Sequence, residues 1–197
     1  GIELEGVFTH LPAADDPGQE NFTRRQIKGF TTLCEELKAC GVSLPLCHAA
    51  NSAAILNYPE SYLDMVRPGL LLYGLYPAWP GTGGLRLKPA FCLKTRVIFL
   101  KDVPPGTSIS YGRTFRTKRK SLIATLPLGY DDGYNHALSN KTKVIVKGKI
   151  VPQVGTICMD QMMVDVTDAG RVKVGDEVVV YGSQSASRVP VEEIASL

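Results

Sequence analysis

Arg67 interrupts the apolar run Met65-Val66-Arg67-Pro68-Gly69-Leu70-Leu71-Leu72-Tyr73. A charge in such a setting is costly unless paired, so Arg67 is either half of a structural ion pair or a contact for a ligand. Its guanidinium stays protonated, so it donates hydrogen bonds without surrendering a proton. Ser52 opens a short helical stretch and Gly69 lies in the next strand-end loop. A hydroxyl, a helix start and a glycine that admits close backbone approach suit a phosphate, with Leu70 N–H as a further donor. A serine in that position can equally cap its own helix. Ser110-Tyr111-Gly112 sets a phenol between two small residues. Tyrosine ionises near pH 10, about three units above neutrality, so it acts as a base there only beside positive charge. Its plainer role is an aromatic closing a strand. Val154-Gly155-Thr156-Ile157-Cys158-Met159-Asp160-Gln161-Met162-Met163-Val164-Asp165 reads as two strands around a turn. Yet it carries Cys158, Met159, Asp160 and Gln161 side by side where Val and Thr are usual. His10 ends a short apolar run, as a core histidine or a site residue.

The elements that position these residues change character near residue 90. Before it, residues 4–9 read as a strand, 22–39 as a helix, 42–47 as a strand, 52–56 as a short helix and 65–73 as a third strand. The long helix rests on the stripe Ile27, Phe30, Leu33, Cys34 and Leu37, spaced by three and four residues, with Gly41 placed to end it. Strand–loop–helix alternation with apolar strands predicts a parallel sheet covered on both faces. After Pro89 only short strands are expected, over 93–100, 107–111, 121–128, 143–146, 161–166 and 177–181. Turns such as Pro104-Pro105-Gly106, Asp131-Asp132-Gly133 and Lys147-Gly148-Lys149 separate them, and a helix begins near residue 189. Three parallel strands with one long helix cannot close a barrel. The expected fold is therefore α/β plus all-β: the C-terminal part of a β/α (TIM-type) barrel over residues 1–89, then a mostly antiparallel β-barrel domain over 90–197. Barrel sites lie at the C-terminal strand ends, with phosphate often bound after the last two strands. His10, Asn51-Ser52 and Arg67 to Leu70 occupy those ends.

With 44% hydrophobic and 21% charged residues, the composition is that of a soluble globular protein. The chain contains no apolar run of about 18 residues that would suit a membrane helix, and no signal-type start. A net charge of +3 is too balanced to point to nucleic acid, and the basic run 113–120 reads as a solvated loop. Cys34, Cys40, Cys47, Cys92 and Cys158 are odd in number and lack zinc-site spacing. No metal is expected, and reduced thiols in a cytoplasmic protein are.

In order along the chain stand Phe8-Thr9-His10, His48-Ala49-Ala50-Asn51-Ser52-Ala53-Ala54, Met65-Val66-Arg67-Pro68-Gly69 with Leu72-Tyr73-Gly74, Ser110-Tyr111-Gly112, Leu128-Gly129-Tyr130-Asp131-Asp132-Gly133 and the Val154–Asp165 block. From about residue 4 onward, that ordered series resembles alanine racemase, a pyridoxal 5'-phosphate enzyme. The resemblance makes the three early strands the sixth to eighth of the barrel. It implies that Ser52, Gly69 and Leu70 hold the cofactor phosphate, that Arg67 faces the pyridine nitrogen, and that His10 is hydrogen-bonded within the Arg67 network. A ring nitrogen left unprotonated by Arg67 is a weaker electron sink, which suits an enzyme that only removes and returns one proton. It further implies that Tyr111 is a second base opposite a cofactor-bearing lysine, that Met159 N–H meets the substrate carboxylate, and that Asp15 and Tyr130 line the entry corridor. The implied activity is interconversion of L- and D-alanine, supplying D-alanine for peptidoglycan. The implied assembly is a homodimer with shared sites, Tyr111 reaching the partner subunit.

Two positions depart from the family pattern. Thr156 stands where relatives often carry Arg, and Pro68 removes one backbone donor beside the cofactor. No lysine here matches the cofactor lysine, nor is there a counterpart of the barrel Arg or the C-terminal Tyr of the family. This chain alone is not expected to be active. Two other readings stay open: a non-catalytic module binding a protein or an amino acid, and a same-family racemase of serine. Arg67, Ser52, Tyr111 and Met159 kept in step favour the alanine racemase reading over an idle module.

Overall fold

The chain divides into two units, Gly1–Ala90 and Phe91–Leu197, in the computed structural model, which describes residues 1–77 and 85–197. The first runs β1 (Gly6–Phe8), α1 (Glu20–Ala39), β2 (Leu46–His48), α2 (Ser52–Asn57) and α3 (Gly69–Leu72). Helix α1 buries Thr23, Ile27, Phe30 and Cys34 against Leu11, Leu44, Cys47 and Tyr58. Each large apolar side chain so buried contributes about 1.5–3 kcal/mol. The helix stops because Gly41 adopts φ +83°. There Gly41 N–H reaches the Lys38 carbonyl and Val42 N–H the Leu37 carbonyl, both at 3.0 Å, which satisfies two terminal acceptors.

Strands β1 and β2 pair in parallel, Gly6 with Leu46 and Phe8 with His48. Met65 adds a single parallel bridge to His48. The third strand expected over 65–73 is thus cut to one bridge, and Gly69–Leu72 is helical instead. Pro68 explains the change. It has no N–H for a ladder, and its carbonyl accepts from Leu72 N–H at 2.8 Å to open α3.

The second unit contains β3 (Leu93–Arg96), β4 (Phe99–Val103), β5 (Ser108–Ile109), β6 (Phe115–Arg116), β7 (Ser121–Leu126), β8 (Lys143–Val146), β9 (Lys149–Pro152), β10 (Met162–Asp165), β11 (Glu177–Gln184), β12 (Ser187–Val189) and α4 (Val191–Ala195). The sheets run β10-β7-β4, β12-β11-β8-β9 with β3 also on β11, and β5-β6. Every strand pair in this unit is antiparallel. Alternating inward residues Ala124, Leu126, Val144, Val146, Met162, Val164, Val178 and Val180 build the core with Ile157. The single strand expected over 93–100 is broken because the chain changes sheets there. Val97 N–H bonds the Asp176 carbonyl, whereas Ile98 N–H bonds the Thr125 carbonyl, each at 3.0 Å. The strand expected over 121–128 stops at Leu126, before Pro127. Strands β6, β9 and β12 are additional to the expected set. Residues Lys147 and Gly148, at φ +53° and +73°, form the two-residue turn that joins β8 to β9.

Candidate functional site

In the first unit, the residues after β1, β2 and Met65 open onto a cleft of about 410 Å³, whose lining includes His10, Asp15, Ser52, Arg67, Gly69 and Leu70. The helix cap is Asn51, not Ser52: its Oδ1 accepts from Ala54 N–H at 3.1 Å, and its Nδ2 ties to the Leu11 carbonyl at 2.9 Å. That spares the Ser52 hydroxyl the capping role; its Oγ accepts from Leu71 N–H at 3.4 Å. A Cβ built on Gly69 would sit 3.6 Å from Ser52 Oγ, so a side chain there would fill the room beside the hydroxyl. Gly69 N–H is spent on the Arg67 carbonyl at 2.9 Å, while Leu70 N–H has no acceptor among the described residues. One hydroxyl and one free N–H beside open space fit an anionic oxygen group.

Arg67 is half-buried and held by neutral acceptors. Its Nη2 donates to the Thr9 carbonyl at 2.9 Å and the Ala49 carbonyl at 3.0 Å, and its Nη1 meets His48 Nδ1. Phe8 lies under both groups, 5.5 Å from the guanidinium carbon and stacked on the His48 ring at 5.4 Å. Among the described residues no carboxylate pairs with Arg67, so carbonyls and an imidazole replace the structural ion pair. Burial pushes the Arg67 pKa down from its ordinary value. Burial, and then the Arg67 charge, push His48 down from its own. The imidazole in this network is that of His48, not His10 as expected. His10 lines the cleft, and its carbonyl accepts from Gln26 Nε2. An arginine in an apolar run needs acceptors, and His48 at the head of the Asn51-Ser52 block was the available signal.

In the second unit, strand β5 ends at Ile109 and Tyr111 begins a 3₁₀ turn, Tyr111–Arg113. The expected strand over 107–111 therefore stops short of the phenol, which is 75% exposed. The Ser110 hydroxyl donates to the Thr156 carbonyl at 2.6 Å and lies 3.5 Å from Cys158 Sγ. Tyr111 and the Met159 turn thus share one edge of the unit. That turn is closed by Cys158 N–H on the Gln161 carbonyl at 2.8 Å, and Tyr130 and Asp131 N–H groups bond the Cys158 and Met159 carbonyls at 3.0 and 2.9 Å. Only glycine fits at 129, since a Cβ would lie 2.2 Å from the Met159 oxygen. Met159 N–H has no acceptor among the described residues. Tyr130 meets His136 edge-on at 6.1 Å. Among the described residues all five cysteines are free thiols, no acidic, His or Cys cluster could hold a metal, and no helix is long and apolar enough to cross a membrane.

Residues 1–77 match the family model "Alanine racemase, N-terminal domain" and residues 90–197 match "Alanine racemase, C-terminal domain". The alanine racemase 2 of Caldanaerobacter subterraneus subsp. tengcongensis is 50% identical over 195 residues, covering 99% of this chain and 50% of that protein. The alanine racemase of Desulforamulus reducens is 48% identical, covering 100% of this chain and 52% of that protein. Among solved structures, alanine racemase from Clostridium difficile 630 in complex with cycloserine superimposes with a TM-score of 0.87 at 41% identity, over 99% of this chain and 51% of that one. The Bacillus anthracis enzyme with bound L-Ala-P gives 0.86 at 37% identity, over 98% and 50%. The chain spans about half the length of the curated relatives it matches. These matches bear out the expected fold, the last part of a β/α barrel followed by a mostly β domain. With both family models matched in order and relatives near half identical along its whole length, the chain belongs to the alanine racemase family.

Proposed function

We propose that this chain supplies the cofactor cleft and one of two proton-transfer bases of a racemase that interconverts L- and D-alanine. One observation carries the reading: every described partner of the Arg67 guanidinium is neutral, so its full charge is available to the cleft that also holds the Ser52 hydroxyl and Leu70. The group that fits is pyridoxal 5'-phosphate, its phosphate against Ser52, Gly69 and Leu70 and its ring nitrogen toward Arg67. His10 lines the same cleft as a ring contact, and Asp15 and Tyr130 belong to the entry corridor. When bound, the cofactor draws electrons from the bonds at Cα of an attached amino acid and acidifies its proton. Arg67 gives the ring nitrogen a hydrogen bond while keeping its own proton. Tyr111 takes or returns the Cα proton on one face. Met159 N–H holds the substrate carboxylate, which fixes which face Tyr111 meets. The base for the opposite face, and the cofactor's covalent anchor, are on this reading the family's cofactor lysine, which no residue lining the described cleft supplies. The assembly is a homodimer whose subunits exchange Tyr111, working in the cytoplasm to provide D-alanine for peptidoglycan.

The test begins with the reading frame upstream of residue 1. Expressed as one protein with this chain, it should encode a lysine-bearing strand and interconvert the alanine enantiomers only with pyridoxal phosphate present. An extended protein that takes up the cofactor yet leaves both alanine enantiomers unchanged overturns the reading. Shared sites are tested by mixing a cofactor-lysine variant with Tyr111→Phe: heterodimers should recover part of the activity, and proven heterodimers without any recovery would exclude them.

A further inference from the structure

We propose that Thr156 is a positioning residue for Tyr111: the Thr156 and Ser110 hydroxyls close a reciprocal clamp that sets the direction of the phenol. The inference rests on the reading of Tyr111 as a base, and deepens it. Tyr111 is 75% exposed on its own chain, so packing within the chain does not aim it, and that task falls to the backbone that carries it. That backbone is unusual. Ser110 has φ 64° and ψ −177°, a region that glycine alone occupies freely, and Gly112 and Arg113 follow at φ +67° and +52°. For a serine such a conformation persists only where the surroundings over-determine it.

The surroundings here are residues 155 and 156. Ser110 Oγ donates to the Thr156 carbonyl at 2.6 Å, and Thr156 Oγ1 donates to the Tyr111 carbonyl at 2.7 Å. The two bonds run in opposite directions across the same pair of segments. Among the described residues the Thr156 hydroxyl is the side-chain partner of the Tyr111 backbone. Behind the clamp, Gly155 sits at φ +79°, and a Cβ there would come within 2.8 Å of both the Ile109 oxygen and Ser110 Cβ. Gly155 is gripped at both ends, its N–H by Asn140 Oδ1 at 2.6 Å and its carbonyl by Gln153 Nε2 at 2.8 Å. Gln153 is 2% exposed, and its Oε1 accepts from Asn140 N–H at 2.6 Å. The clamp therefore leans on a core-anchored amide platform. A polar side chain at 156 that reaches back to the Tyr111 carbonyl acts on the base without touching substrate.

The test compares Thr156→Val, which keeps the shape and loses the hydroxyl, with Thr156→Ser, which keeps the hydroxyl, in the full-length protein. Hydrogen–deuterium exchange reports on residues 110–113, where Arg113 N–H donates to the Ser110 carbonyl at 3.3 Å. Loss of one neutral hydrogen bond predicts exchange about 3–10-fold faster in Thr156→Val, and kcat lower by a similar factor with KM for alanine little changed. Thr156→Ser should recover both, and Ser110→Ala, which removes the other bond, should speed exchange like Thr156→Val. Unchanged exchange in Thr156→Val overturns the clamp, as does a Thr156→Ser protein that exchanges as fast as Thr156→Val. If Tyr111→Phe leaves racemisation intact, the base reading fails, while the exchange measurements still decide the clamp on their own.

Discussion

Arg67 Nη1 meets His48 Nδ1 in a hydrogen bond that only a neutral imidazole can accept. The arrangement carries a pH dependence. Burial and the neighbouring guanidinium hold the His48 pKa below its ordinary value in the folded chain. In the unfolded chain the imidazole takes up a proton as pH falls through about 6.5; in the folded chain it resists until lower pH. The unfolded state then binds more protons, so stability falls as pH drops from about 6.5 toward the folded value. His48→Gln keeps an acceptor and removes the titration, and should flatten that segment of the stability curve. Denaturant titrations at pH 7.5 and 5.5 check this; an identical pH slope in both proteins would count against it.

Ser52→Ala deletes the hydroxyl that Asn51 capping spares, whose oxygen accepts from Leu71 N–H at 3.4 Å. A hydrogen bond to a charged oxygen contributes about 1.5–3 kcal/mol, so affinity for pyridoxal phosphate should fall by roughly 10–150-fold. Fold stability should fall by no more than about 1 kcal/mol, because the cap is Asn51 and the bond lost is the long one from Leu71 N–H. Equilibrium dialysis of cofactor against wild type and variant, with a melting curve beside it, separates the two effects. A stability loss with unaltered cofactor affinity would return Ser52 to a structural role.

Gly129→Ala places a methyl group against two backbone carbonyls, 2.2 Å from the Met159 oxygen and 2.4 Å from the Cys158 oxygen. Neither can yield without moving the turn that carries Met159 N–H. The variant should lose about 1–3 kcal/mol of stability, and the KM for alanine should rise. Thermal denaturation and steady-state kinetics check the pair, and a variant as stable as wild type would show that the 129 and 159 loops are not locked together.

Much of the fold was legible in the sequence because it rests on local patterns of apolar residues. The stripe Ile27, Phe30, Cys34 marks α1, and short apolar runs between turn residues mark β7, β8 and β11. What escaped depends on partners distant in sequence. Nothing local shows that Val97 and Ile98 pair with different sheets, so β3 and β4 read as one strand. The apolar run 65–73 looked like a strand because Leu70, Leu71 and Leu72 are consecutive; the backbone limits of Pro68 outweigh that pattern. Arg67 was legible as an oddity, since a charge in an apolar run demands partners. The choice of His48 over His10 as its imidazole follows from the parallel register of β1 and β2, which no single-chain pattern displays. The Thr156 hydroxyl bond to the Tyr111 carbonyl spans 45 residues and leaves no sequence signature.

The central claim is that Tyr111 serves one face of Cα while a lysine serves the other. Tyr111→Phe removes the phenolic base and keeps the ring, so racemisation should fall about 10²–10⁴-fold with cofactor absorbance intact. The decisive measurement is exchange of the Cα proton with deuterated solvent, followed separately for L- and D-alanine in Tyr111→Phe. Exchange should survive for the enantiomer whose proton faces the lysine and nearly vanish for the other. Fast exchange retained for both enantiomers would contradict the assignment of Tyr111 as the second base.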